Sequence, residues 1–189
     1  DDDYFLCHAA AAIAAHVALS AEVSASAPVR IAIAELEGGD YEVTVVAHDH
    51  FGELALLCGL LAAFGLDIRR GHIHTFERVR EPMPAAERSG RPRGRARSTK
   101  LVDVFRVHPA PGAVFGGQER SELEREAAVL LQLVGQGDLS VARARLNRRL
   151  VERLAAWRER GIAPGAFVEV GFASGEGSAW TAMEVFGGD

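Results

Sequence analysis

The chain has 189 residues, is 48% hydrophobic and 25% charged, and carries a formal net charge of −5. That composition is globular and excludes wholesale disorder, and its mild acidity gives no general reason to expect nucleic-acid binding. Cys7 and Cys58 are the only cysteines and form no C-x-x-C pair, which excludes a disulfide scaffold or cysteine-rich zinc module and fits a reducing, cytoplasmic compartment.

Residues 4–21 are Ala-rich, contain no Gly or Pro and read as a helix. Residues 9–19, followed by Ser24-Ala25-Ser26-Ala27, have the outline of a signal peptide. The acidic leader and His16 inside the apolar stretch argue against one. Residues 23–28 are small and polar, as a linker is. Residues 29–33 alternate as a strand, residues 37–40 form a turn, and the β-branched residues 41–47 form a second strand that stops at His48-Asp49-His50.

A helix is expected over 51–64, with Leu54, Leu57, Cys58, Leu61 and Phe64 on one stripe, Asp49 capping its first turn and Gly65 ending it. The apolar run 54–66 is too short to span a bilayer. Strands follow at 66–76 and 101–107, the latter alternating around Val102, Val104 and Arg106. Residues 78–98 between them carry three prolines, two glycines, seven arginines and two glutamates, a basic excursion that reads as a solvated hairpin extension rather than a nucleic-acid site, since it lacks interleaved aromatics.

Ser121-Glu122-Leu123-Glu124 is a capping-box pattern opening a helix with Leu123, Ala127, Leu130, Leu131 and Val134 inward. Gly135-Gln136-Gly137 stops it, and Asp138 caps a second helix, 138–160, with Leu139, Ala142, Leu146, Leu150, Leu154 and Trp157 inward. Strands close the chain at 167–172 and 180–186. The pair 29–33 and 41–46 leading to Asp49 resembles the pair 168–172 and 180–185 leading to Asp189, an internal repeat. With no Met before Asp1-Asp2-Asp3, the chain is expected to be a fragment that stops at the start of a second copy of its own domain.

Strand, helix, strand, strand, helix, strand is the order of a ferredoxin-like α+β sandwich. Its most informative junction is residues 43–54, where a strand runs into Asp49-His50-Phe51-Gly52-Glu53-Leu54, followed one helix later by Gly65-Leu66-Asp67-Ile68 and Ile73-His74-Thr75. Asp49 and Gly52 sit where backbone N–H groups are unpaired and a helix begins, a place that accepts a carboxylate on the N–H groups and an ammonium on Asp49.

Here the chain resembles the ACT family of small-molecule regulatory domains, whose first strand ends in D-x-x-G and whose helix is followed by G-x-x-I. It departs from many members in having Phe51 before the glycine and Glu53 after it. More specifically it is similar to the C-terminal part of the bifunctional uridylyltransferase and uridylyl-removing enzymes acting on PII signalling proteins. The resemblance implies a βαββαβ regulatory domain over 28–175, with the basic loop 78–98 and a bridging helix 138–160. It implies a helix and linker, 1–27, from an upstream helical hydrolase domain carrying the Tyr4, His8, Ile13 and His16 pattern, and the truncated start of a second domain at 176–189.

The implied function is allosteric sensing of a free amino acid, glutamine favoured, in the control of nitrogen metabolism. Asp49, Gly52, Glu53 and Leu54 are its ligand-binding residues. The implied partners are a second ACT domain in the same chain or a homo-oligomer, and a PII-like protein through the parent nucleotidyltransferase, with no nucleic acid and no membrane. No catalytic residue and no cofactor is assigned to these residues. The alternative is an ACT-like interaction or dimerisation module without a small ligand. The pairs His48/His50 and His72/His74 have the period-two spacing of a strand face, but no further Cys, His or Glu completes a metal site in the sequence. His48-Asp49 also spells the doublet of metal phosphohydrolases, but a strand feeds it where that chemistry needs a helix.

Overall fold

In a computed structural model, the structure describes residues 2–24, 26–76, 99–159, 168–174 and 181–187. The elements run α1 (Asp2–Cys7), α2 (Ala10–Glu22), β1 (Val29–Glu35), β2 (Tyr41–His48), α3 (Glu53–Ala63), β3 (Leu66–Phe76), β4 (Lys100–Pro109), α4 (Gly117–Gly135), α5 (Leu139–Glu159), β5 (Val168–Ser174) and β6 (Thr181–Gly187). They fall into two compact units, Asp1–Leu150 and Val151–Asp189. The protein is α+β. No helix among the described residues is long and apolar enough to cross a membrane. The basic excursion 78–98 lies outside the described residues.

The first unit is built on a four-stranded sheet ordered β1-β2-β4-β3, antiparallel throughout. The strand expected at 167–172 does not join it: β5 pairs with β6 in a two-stranded sheet, and β1 lies beside β2 instead. A short connection makes the β1–β2 hairpin a local pairing, whereas β5 follows only after the whole of α5. Each hairpin pairs antiparallel over seven residues. Val29 to Glu35 pair with Ala47 to Tyr41, and Val168 to Ser174 pair with Gly187 to Thr181.

Side-chain alternation sends each strand's residues to opposite faces of the sheet, and helices cover both. Val43, Val45, Ala47, Leu101, Phe105 and Val107 form the inner face, packed with Leu57, Leu60 and Leu61 of α3 and with Leu123, Ala127, Leu130 and Leu131 of α4. Ala142 and Leu146 of α5 complete this layer. The outer face carries Val46, Val102 and Val104, which pack with Tyr4 and Val23, and with Ile13, Leu19 and Phe76 at the margin. Residues 4–21 are therefore two helices rather than one, broken at His8-Ala9, where Ala9 is extended (φ −67°, ψ 153°). Lys100 ties α2 to β4 by donating to the Ser20 carbonyl, and Arg30 bonds Glu22 at 2.9 Å.

Three local differences from the sequence reading have physical causes. α3 begins at Glu53, not at residue 51, with Gly52 left-handed (φ 85°) at its N-cap and no side-chain cap, so Asp49 does not cap the helix. α4 begins at Gly117, four residues before Ser121. Glu119 bonds back to the Gly116 N–H at 2.9 Å, and Ser121 lies inside the helix, donating to the Gly117 carbonyl. On α5, Ala142 and Leu146 are buried but Leu154 is 44% exposed. α3 is buried on more than one stripe because α5 crosses it closely: a methyl group on Gly59 would come within 2.7 Å of a Leu146 methyl.

Candidate ligand site at the strand–helix junction

The junction is assembled by β2, the turn 49–52 and the first turn of α3. The Asp49 N–H donates to the Thr99 carbonyl at 2.9 Å, which holds the turn against the start of β4. The Glu53 N–H donates to the His50 carbonyl at 3.2 Å and the Leu56 N–H to the Gly52 carbonyl at 3.3 Å. Left-handed backbone at Gly52 is strained for other residues, and this turn requires it.

Asp49 is exposed, Leu54 packs at the edge of the inner core, and Phe51 stands out at 87% exposure. Above the turn lies α5. A methyl placed on Gly52 would be 3.5 Å from the two Leu139 methyls and 3.6 Å from Arg143 Nη2. The turn therefore has an exposed carboxylate at Asp49 and a guanidinium beside the glycine that opens α3, where the helix presents its positive end.

Glu53 does not face the turn as a charge. It is 2% exposed, and its Oε2 accepts from the His50 N–H at 3.1 Å while Oε1 has no hydrogen-bond partner. Burial pushes its carboxyl up to about 8; the His50 N–H opposes this, and the charges of Asp103 and Asp49 add to it. It is therefore largely protonated at neutral pH.

Sequence reasoning missed Asp103. It is fully buried on the inner face of β4, between Leu101 and Phe105, with Val45 and Ile73 as cross-strand neighbours. Neither carboxyl oxygen meets hydrogen-bond geometry. Burial and the charge of Asp49 raise it to about 7, with the His74 backbone N–H opposing. Cys58 feels the same surroundings: burial, then Asp103, push its thiol up to about 11, so it is an inert core thiol. The signal for Asp103 was available in sequence, as a lone carboxylate in phase with Leu101, Phe105 and Val107.

Of the paired histidines, His48 ends β2 and His50 lies in the turn, so they do not share a strand. A methyl on Gly135 would lie 3.4 Å from His50 Nε2. Burial, Lys100 and His50 lower His48. His72 and His74 do share a face, with parallel rings 6.4 Å apart. Among the described residues no three His, Cys, Asp or Glu side chains are arranged to hold a metal ion. No protein-family model matches the chain, and no curated protein matches it in sequence.

Proposed function

We propose that the chain is an amino-acid-sensing regulatory module of the ACT kind, with glutamine the favoured ligand, serving a PII uridylyltransferase-like nucleotidyltransferase. The observation that carries this reading is the uncapped start of α3, with left-handed Gly52 flanked by the exposed Asp49 carboxylate and the Arg143 guanidinium. A free amino acid complements that arrangement: its ammonium pairs with Asp49, and its carboxylate with Arg143 and the helix N-terminus. The run β2-α3-β3-β4-α4 supports a ferredoxin-like variant in which β1 takes the place of the last strand. Ligand contact with Arg143 would bias α5, giving the population shift that regulation requires.

Thermal unfolding in the presence of each common amino acid tests the reading. At about a hundredfold excess over Kd, glutamine is expected to raise Tm by roughly 5–10 °C. Asp49→Ala and Arg143→Ala are each expected to abolish the rise. No rise with any common amino acid sinks the proposal. The exposed Phe51 ring favours a second reading, a dimerisation surface with no small ligand. A ligand-free dimer that is lost with Phe51→Ser and indifferent to Asp49→Ala would select it.

A further inference from the structure

The outer face of the sheet holds a histidine cluster that the ligand site does not use. His8, at the break between α1 and α2, is its hub. Its ring centroid lies 5.1 Å from His16 of α2, and 5.6 and 5.4 Å from His72 and His74 of β3. Tyr4 of α1 lies 5.0 Å from both the His8 and His74 rings and 4.9 Å from Phe76. The Tyr4 hydroxyl is 2.7 Å from His16 Nδ1. His16 is 4% and His74 7% exposed. We propose that the packing of α1 and α2 on the sheet is a proton-operated latch, closed while these imidazoles are neutral and released when the His8 hub and its neighbours acquire charge.

The chemistry follows from what surrounds the rings. Edge-to-face packing suits neutral imidazoles, and like charges at these separations repel in a partly dry layer. His8 Nε2 is buried with no hydrogen-bond partner, so a proton placed there gains no acceptor. α2 presents no carboxylate to the cluster: His16 feels burial, then His8 and His74, all opposing its charged form. From β2, Glu42 favours charge on His8 against the larger effect of burial. On β3, burial, then Arg70 and His8 oppose charge on His72, while Glu42 favours it. The undocked helices thus bind more protons than the docked ones, so docking is complete above the ordinary imidazole range near 6.5 and weakens as pH falls through and below it. Release would uncover Val46, Val102 and Val104.

Amide hydrogen exchange of the intact 189-residue chain, corrected for the intrinsic effect of pH, tests this, with α4 as the internal reference. Between about pH 7.5 and about pH 5.5, protection in α2 is expected to fall roughly tenfold relative to α4. His8→Gln/His72→Gln is expected to keep the neutral-pH protection and weaken its pH dependence, with the buried His16 retaining the remainder. An unchanged pH dependence in that variant, or none in the parent, overturns the proposal. If the double variant does not fold, proton NMR titration of the parent's imidazoles carries the test. His8 and His16 both titrating at about the ordinary 6.5 overturns the latch, and depressed midpoints support it. Tight equimolar Zn2+ binding that shifts these same resonances also overturns it, making the cluster a metal site instead.

Discussion

Glu53 and Asp103 lie in the layer between α3 and the sheet, and burial raises their carboxyls to about 8 and about 7. The folded chain keeps protons there that the unfolded chain releases near the ordinary carboxylate range. These groups therefore cost little below about pH 4 and destabilise progressively as pH rises from there to about 7 for Asp103 and about 8 for Glu53, by up to roughly 1.4 kcal/mol per pH unit for each, levelling off above. Urea midpoints near pH 5, 7 and 9 check this: the parent is expected to weaken toward the alkaline end. Glu53→Gln and Asp103→Asn are each expected to flatten that fall while matching the parent at the acid end. An unchanged slope in both variants means that the groups ionise freely in the folded chain. The same protonation bears on the proposed ligand site, because a neutral Glu53 beneath the turn leaves Asp49 as the carboxylate presented to solvent.

Between elements, α4 and α5 are joined by charge as well as by their leucines. Glu126 is buried and bonded by Arg145, with Arg149 at 3.6 Å, while Arg149 also reaches Glu122 at the more exposed end. The hydrogen bond from Arg145 holds the Glu126 carboxyl below its ordinary value against burial. Glu126→Ala removes the anion shared by two guanidinium groups and is expected to cost about 1–3 kcal/mol in denaturant unfolding. Glu122→Ala, on the exposed end, is expected to cost less than about 1 kcal/mol. Equal costs for the two would mean that burial of Glu126 contributes nothing. In β3 the ladder shifts between Ile68 and Arg70. That bulge inverts the alternation, so Ile68 stays with the inner core while His72, His74 and Phe76 turn to the outer face.

Across the whole first unit, a sheet with apolar residues on both faces needs both covered, and α1–α2 cover the outer one. A chain beginning at residue 28 is expected to unfold at lower temperature and to self-associate in sedimentation, whereas the parent does not associate through that face. Behaviour identical to the parent would show that the outer valines need no cover. The residues Tyr4, His8, Ile13 and His16, which resembled a helix leaving another domain, here meet the sheet itself. A sequence pattern establishes that a helix has an apolar side, and it leaves open what that side meets.

Much was nevertheless legible in one dimension. The four strands of the main sheet, the stripe of α4, the left-handed Gly65 that ends α3 and the presence of a strand pair after α5 follow from periodicity and from glycine's conformational freedom, which are local properties. The start of α3, the position of β1 beside β2 and the convergence of four histidines were not legible. They depend on a two-residue choice of cap, on which strand is nearest for pairing, and on one bulge that changes which face a side chain occupies. Asp103 makes the distinction concrete. Its alternation with Leu101 and Phe105 put a carboxyl on an apolar face, but only the packing of α3 over that face removed it from water and turned it from a charge into a protonated group.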